Sequence, residues 1–202
     1  YYWKMKGTLA NLYPTPIYWV EKVDNFDEIQ NEITTAVKEV EFGMKGDWGA
    51  THFLSDPTFK DNFIIKNDLN FLRDQIVYHL DHYMKAIGFP HTNGYIGSSW
   101  ISLFKKGNYG HCHHHGTSDV SGVYYYKTDG SDGNIYFENP TPAMTSSFCY
   151  KGLCEREQIV PSNGLLAFFP GWLMHGITTN QTNHDRMSLS FNIVFDRNES
   201  NY

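Results

Sequence analysis

Four histidines, His111, His113, His114 and His115, stand within five positions of the run Lys106-Gly-Asn-Tyr-Gly-His-Cys-His-His-His-Gly116. A fifth, His175, lies far downstream. Imidazole nitrogens are good ligands for Fe, Zn, Cu and Ni. Along a strand, residues i and i+2 point to one face. Either His111 and His113 or His113 and His115 therefore share a face, with His114 turned away in the second case. Two imidazoles on one face can chelate one ion, and His175 is the candidate to complete its shell. The run is internal, which excludes a terminal purification tag.

A second chemical signal is the segment Arg186-Met-Ser-Leu-Ser-Phe-Asn192. Alternation puts Arg186, Ser188, Ser190 and Asn192 on one strand face, and Met187, Leu189, Phe191 and Ile193 on the other. A wholly polar face borders solvent or a polar cavity. The planar guanidinium of Arg186 can hold a carboxylate through two parallel hydrogen bonds, which a lysine cannot do. A third motif, Gly164-Leu-Leu-Ala-Phe-Phe-Pro-Gly-Trp-Leu-Met-His-Gly176, reads as a buried strand, a Pro-Gly turn and a histidine opening the next strand.

The elements that must position these groups follow from periodicity. From Gly94 onward the chain breaks into short strands at roughly 95–105, 119–127, 133–138, 146–150, 155–160, 164–169, 174–179 and 187–195, punctuated by Gly, Asn, Asp and Pro. Many short strands with short turns predict a jelly roll. Ahead of them, residues 9–20 read as an extended opening strand, confined to an edge by Pro14 and Pro16. Phe26, Ile29, Ile33, Val37 and Val40 keep a helical period, with Asp24 as N-cap and an end near Gly43. Residues 46–55 read as irregular. A second helix starts near Asn67 or Asp68, carries Leu69, Leu72, Ile76, Leu80, Tyr83 and Ile87 as its apolar stripe, and stops at Gly88 and Pro90. His79 and His82 on it read as a solvated face. The expectation is one domain, 1–202, mainly β with flanking helices: supporting elements over 1–93, two of them helices packed on one outer face, and a jelly-roll core over 94–202.

Composition narrows the function classes. Of 202 residues, 41% are hydrophobic and 16% aromatic, enough for a sizeable core. The net charge of −6 argues against a nucleic-acid backbone binder. No apolar run approaches membrane-spanning length, and no signal-peptide pattern is read at the opening residues. Cys112, Cys149 and Cys154 are odd in number, which suits a reducing cytoplasm better than a disulfide framework. A zinc site built on Cys149 and Cys154 is a looser alternative.

In order, His-x-His, Ser-Gly-Val-Tyr-Tyr, Gly-Leu-Leu-x-Phe-x-Pro-x-Trp-x-x-His and Arg-x-Ser-x-Ser-Phe-Asn resemble the 2-oxoglutarate/Fe(II) oxygenases of bacteria and phages, in the prolyl-hydroxylase-like branch of that superfamily. Leu12-Tyr-Pro-Thr-Pro-Ile17 resembles their N-terminus. The resemblance implies a double-stranded β-helix with Fe(II) held by a facial triad, 2-oxoglutarate as cosubstrate and O2 as oxidant. It implies His175 as the distal ligand and Arg186 with Ser188 for the far carboxylate of 2-oxoglutarate. Tyr125 is favoured among Tyr124 to Tyr126 for the same cosubstrate, and Tyr109 as a pocket wall. Where the superfamily has His-x-Asp or His-x-Glu, the matching positions here are His113 and His115. Three readings stay open: a three-histidine site, a loop carboxylate from Asp119, or the register His111 with His113. The implied reaction is hydroxylation of a C–H bond, by analogy on a peptidyl or free amino acid; neither the acceptor nor the oligomeric state is encoded legibly. The alternatives are a cupin-type metal oxygenase that does not use 2-oxoglutarate and a non-catalytic jelly-roll binding module pinned by metal.

Overall fold

The structure, a computed structural model, describes residues 13–44, 51–89, 93–153 and 156–196. Part of the opening strand (9–12), half of the irregular segment (46–50), Pro90, Cys154 and residue 155 lie outside the described residues. In chain order the elements are β1 (Tyr18–Val20), α1 (Phe26–Val37), β2 (Phe53–Leu54), α2 (Phe63–Lys66), α3 (Asn70–Ala86), β3 (Gly94–Phe104), β4 (Gly110–His113), β5 (Val120–Lys127), β6 (Ile135–Phe137), two 3-10 turns (Pro142–Ser146 and Phe148–Leu153), β7 (Glu157–Ile159), β8 (Leu166–Pro170), β9 (His175–Ile177) and β10 (Arg186–Phe195).

The strands form two antiparallel sheets, ordered β1-β8-β5-β10-β3-β2 and β4-β9-β6-β7. This is the expected jelly-roll architecture with helices on one face. Alternation along the larger sheet sorts its side chains into two cores. Ile101, Tyr124, Leu166, Phe168, Leu189, Phe191 and Ile193 point outward, under the helices, where they meet Ile29 and Ile33 of α1 and Leu72, Ile76, Leu80 and Tyr83 of α3. The opposite residues point inward, toward the smaller sheet. Val123, Tyr125, Ala167 and Phe169 there pack with Ile135, Phe137, Leu165 and Leu173 in a smaller core. Gly122 is required at the crossing with β10, because a Cβ would stand 2.3 Å from Phe191 Cζ.

The helices depart from the sequence expectation at their ends. Helix α1 stops at Val37, with Val40 still packed against the core beyond it. Its N-cap is Asn25 in the left-handed region (φ 54°), not Asp24, and it makes no side-chain cap bond. Helix α3 begins at Asn70, and Glu32 of α1 caps it from outside by accepting from Phe71 N (3.0 Å) and Leu72 N (3.4 Å). A carboxylate at a helix N-terminus satisfies orphan N–H groups and opposes the dipole. The helix ends at Ala86, and Gly88 just beyond it, at φ 79°, suits the left-handed cap. Ile87 is 43% exposed and leaves the apolar stripe. His79 is not solvated: it is buried, and its Nδ1 meets the Tyr18 hydroxyl at 2.8 Å. His82 is exposed, as expected. The strand expected at 146–150 is 3-10 helical instead, with Phe148 94% and Tyr150 54% exposed. Two short strands, β2 and β4, were absent from the periodicity reading.

Candidate metal and cosubstrate site

The site lies between the sheets, where β4 and β9 of the smaller sheet pair His113 directly opposite His175. His113 is the last residue of β4. His115 therefore owes its place to a turn rather than to strand alternation. Its N–H donates to Gly171 O (2.7 Å), Ser118 N donates to its carbonyl (2.9 Å), and Gly171 N closes the turn on Asp119 O (3.1 Å). Gly171 has no room for a side chain, since a Cβ would stand 2.1 Å from Ser118 O.

His113, His115 and His175 converge, with ligand atoms all within 4.8 Å of one another. Their outer nitrogens are engaged. His113 Nδ1 is 2.9 Å from His111 O, and His175 Nδ1 is 2.8 Å from Leu173 O. A carbonyl only accepts, so both Nδ1 atoms carry the proton, and in the neutral ring Nε2 is left with a bare lone pair. His115 Nδ1 lies 2.6 Å from Asn192 Oδ1 and 3.0 Å from Ser121 Oγ. Burial keeps these rings neutral: it holds His113 down at about 4, lowers His115, and pushes His175 well below the usual histidine range, helped by the neighbouring imidazoles. His113 Nε2 and His115 Nε2 are 3.0 Å apart. At that distance one ion can accept a lone pair from each of the two nitrogens. Nitrogens each about 2.1 Å from one ion and at right angles about it stand about 3.0 Å apart. The pair thus fits two adjacent positions of an octahedral ion, the arrangement a facial triad requires.

The other expected ligands are placed elsewhere. His111 stacks on His113 with ring centres 4.9 Å apart and holds its Nδ1 through a backbone oxygen, outside the converging trio. Asp119 accepts from Phe195 N (2.9 Å) and is not in the trio either. His114 is exposed, and Cys112 lies among Tyr136, Glu138 and Arg156. Tyr109 does not wall the cavity. It is 37% exposed and lines an outer groove with Cys112 and Arg156, although its carbonyl reaches His52 Nδ1 (3.3 Å).

The inward face of β10 completes the cavity. Arg186 is 0% exposed, and Nε and both terminal nitrogens lack a hydrogen-bond partner. Its Cζ sits over two rings, Phe104 at 4.7 Å and Tyr125 at 5.1 Å. The Tyr125 hydroxyl is buried beside the guanidinium, outside strict hydrogen-bond geometry; burial pushes its pKa up, and the charge of Arg186 and a loose hydrogen bond from it oppose that. Tyr124 points the other way, to Gln30 of α1. Ser188 and Ser190 line the same cavity as the three histidines. Bulges interrupt the pairing of β10 at Met187/Ser188 and at Asn192/Ile193, one at each end of this polar run. Bulges re-aim side chains beside active sites. A buried cation without a partner costs several kcal/mol, and aromatic faces offset part of it. The arrangement is suited to a ligand carboxylate.

Sequence reasoning missed three contributors. His52, just before β2, is buried and stacks on Phe104 with ring centres 4.4 Å apart. Its pKa is pulled down to about 4 by burial, with smaller help from the Arg186 charge. Phe59, at φ 55°, lies edge-on to Trp100 (5.0 Å), which in turn sits 5.7 Å from the His115 ring. Asp56 fixes that loop by accepting from Thr58 N, Lys60 N and Asp61 N. Nothing local in the sequence marks these residues; only the alternation His52, Leu54 hints that one face of the segment is buried.

Comparison with known proteins agrees with this geometry. Residues 98–192 match the family described as "Putative 2OG-Fe(II) oxygenase". No curated protein sequence matches the chain. Among solved structures, the epimerase SnoN from nogalamycin biosynthesis, non-heme and alpha ketoglutarate dependent, is similar with a TM-score of 0.64 and 13% identity, over 90% of this chain and 78% of that one. A prolyl-4-hydroxylase of Pseudomonas putida gives 0.59 and 13%, over 92% and 95%. HygX of Streptomyces hygroscopicus, solved with nickel and 2-oxoglutarate, gives 0.61 and 12%, over 91% and 84%. At such identities the structures speak for the shared double-stranded β-helix alone. The sequence similarity to the 2OG-Fe(II) oxygenase family covers residues 98–192, just under half of the chain.

Proposed function

We propose that this oxygenase hydroxylates a C–H bond, that His113, His115 and His175 hold its Fe(II), and that Arg186 with Ser188 and Tyr125 holds the far carboxylate of 2-oxoglutarate. The observation that carries the reading is the buried guanidinium of Arg186, seated against Phe104 on the wall of the cavity that His113, His115 and His175 share. Bound there, Fe(II) with 2-oxoglutarate and O2 supplies the oxidising power for the hydroxylation, and the cosubstrate leaves as succinate and CO2.

The chain's own residues bind and orient. The Nδ1 bonds of His113 and His175 to backbone carbonyls lock ring orientation and keep each Nε2 aimed inward. Three neutral ligands leave the full double charge of the ion uncompensated, which favours a dianionic cosubstrate. Arg186 supplies the opposite anchor, and Phe104, Phe169 and Val123 keep water from the space between. Residues 1–202 act as one unit in this reading, because α1 and α3 complete the core that backs the site-bearing sheet. Among the described residues no helix is long and apolar enough to cross a membrane. The free thiols of Cys112 and Cys149 favour the reducing cytoplasm as its compartment. The acceptor is read as a peptidyl or free amino acid only by analogy with the prolyl-4-hydroxylase neighbour.

The test is oxygen-dependent conversion of 2-oxoglutarate to succinate by the purified, Fe(II)-loaded protein, alongside His175→Ala and Arg186→Met. The first variant is expected to lose metal, the second to keep metal and lose 2-oxoglutarate binding. Metal binding without any 2-oxoglutarate binding by the unmodified protein would shift the assignment to a cupin-type oxygenase.

A further inference from the structure

His115 stands where the superfamily pattern has a carboxylate, so something other than ligand charge must make it a good donor. We propose that Asn192 is a positioning residue that fixes the Nδ1–H tautomer of His115 and so aims a bare Nε2 at the metal; this rests on His115 being a ligand. With Asn192 Nδ2 donating to Ser98 Oγ (3.1 Å), Oδ1 faces His115, and the remaining hydrogen bonds then fit one proton arrangement. Ser121 Oγ donates to the same Oδ1 (2.9 Å), so its own proton is not available to the ring. Ser118 Oγ donates to His115 O (2.9 Å) and can supply nothing to Nδ1. The remaining short contact, His115 Nδ1 to Asn192 Oδ1 at 2.6 Å, then requires the proton on the ring nitrogen. Ser121 Oγ, 3.0 Å from Nδ1, shares that proton as a second acceptor.

The relay differs from those of the other two ligands. His113 and His175 lean on backbone carbonyls, which no substitution removes. His115 leans on a side chain from β10, six residues after the guanidinium of Arg186 and on the same strand face. One strand would therefore carry both the anchor for the cosubstrate and the device that sets the third ligand. Asn192 lies next to the bulge at Asn192/Ile193, which marks where the polar run of β10 ends.

The experiment measures Mn(II) affinity by calorimetry and the His115 tautomer by imidazole 15N chemical shifts in the metal-free protein, for the full chain and for Asn192→Leu, Asn192→Asp, Ser98→Ala and His115→Ala. Thermal melting reports folding of each. Outer-shell partners typically contribute 10–100-fold to metal affinity. Asn192→Leu is expected to lose at least tenfold and to show both tautomers. Asn192→Asp keeps the acceptor and adds charge, so it should retain the Nδ1–H form and bind Mn(II) at least as tightly as the unmodified protein, a rescue that mere space-filling cannot give. Ser98→Ala, which removes only the bond that orients the amide, should weaken Mn(II) several-fold and decides the matter if the leucine variant fails to fold. Unchanged affinity and tautomer in a folded Asn192→Leu, or in Ser98→Ala if the leucine variant is unfolded, overturns the proposal while leaving His115 as a ligand. Unchanged affinity in His115→Ala overturns the ligand assignment itself.

Discussion

Replacing Arg186 with methionine should stabilise the ligand-free protein and abolish its function. The guanidinium is fully buried with three unpartnered nitrogens. Exchanging buried ionic groups for apolar residues of similar volume commonly stabilises by about 1–4 kcal/mol. Here two aromatic faces already return part of that cost, each about 0.5–2 kcal/mol. A net gain of roughly 1–3 kcal/mol is expected, and for a domain of this size each kcal/mol moves the melting temperature by about 2–4 °C. The ligand-free variant should therefore melt about 2–12 °C higher. Binding moves the other way. Removing one partner of a buried charge pair costs about 2–5 kcal/mol, at least thirtyfold or so in affinity. Calorimetric titration of the Mn(II)-loaded proteins with 2-oxoglutarate, without oxygen, measures that loss, and thermal melts of the metal-free proteins measure the gain. A lower melting temperature for the variant would show that the guanidinium has a stabilising partner in solution. Equal affinities would remove the carboxylate site altogether.

Metal binding should sort the histidines: alanine at 113, 115 or 175 loses bound Fe(II), whereas His111→Ala and Asp119→Ala retain it, as measured by metal analysis of the purified variants. Loss of iron in Asp119→Ala with retention in His115→Ala would reverse the assignment. Gly171→Ala drives a Cβ to 2.1 Å from a backbone oxygen in the turn that seats His115, so it should cost roughly 1–3 kcal/mol or more in urea unfolding and weaken metal binding together. Burial holds His52 and His113 at about 4 against an ordinary 6.5, so the unfolded chain takes up protons first. The stability of the metal-free protein should be level above about pH 6.5 and fall steadily toward pH 4. Melting temperatures that stay constant across that window would show that neither ring is buried neutral.

The double-stranded β-helix was legible because strand length, turn residues and two-residue alternation all agreed from Gly94 onward. Alternation also separated Arg186, Ser188 and Asn192 from Leu189 and Phe191, and Tyr125 from Tyr124, on the two sides of one sheet. The pairing of His113 with His115 was reached through a strand that stops at His113; a turn stitched to Gly171 produces the same outcome for a different reason. The 3-10 segment around Phe148 was read as a strand because aromatic content favours β structure, yet Phe148 stands almost fully exposed there. His52 and Phe59 could not be found at all. Their relation to Phe104 and Trp100 exists only in three dimensions, and a lone histidine or phenylalanine carries no spacing signal.

The division of the larger sheet into two faces has a bearing on how such a protein changes over time. Its outward face, buried under α1 and α3, holds the more extensive core, while the cavity residues face the other way with a smaller one. Substitutions on opposite sides of a sheet share few partners, so their effects on folding are close to additive. The rim around Phe59 and Trp100 can then be rewritten one residue at a time while drawing little on the larger core under the helices. A scaffold arranged this way can exchange one acceptor for another by small steps, each of which leaves a folded, metal-loaded protein.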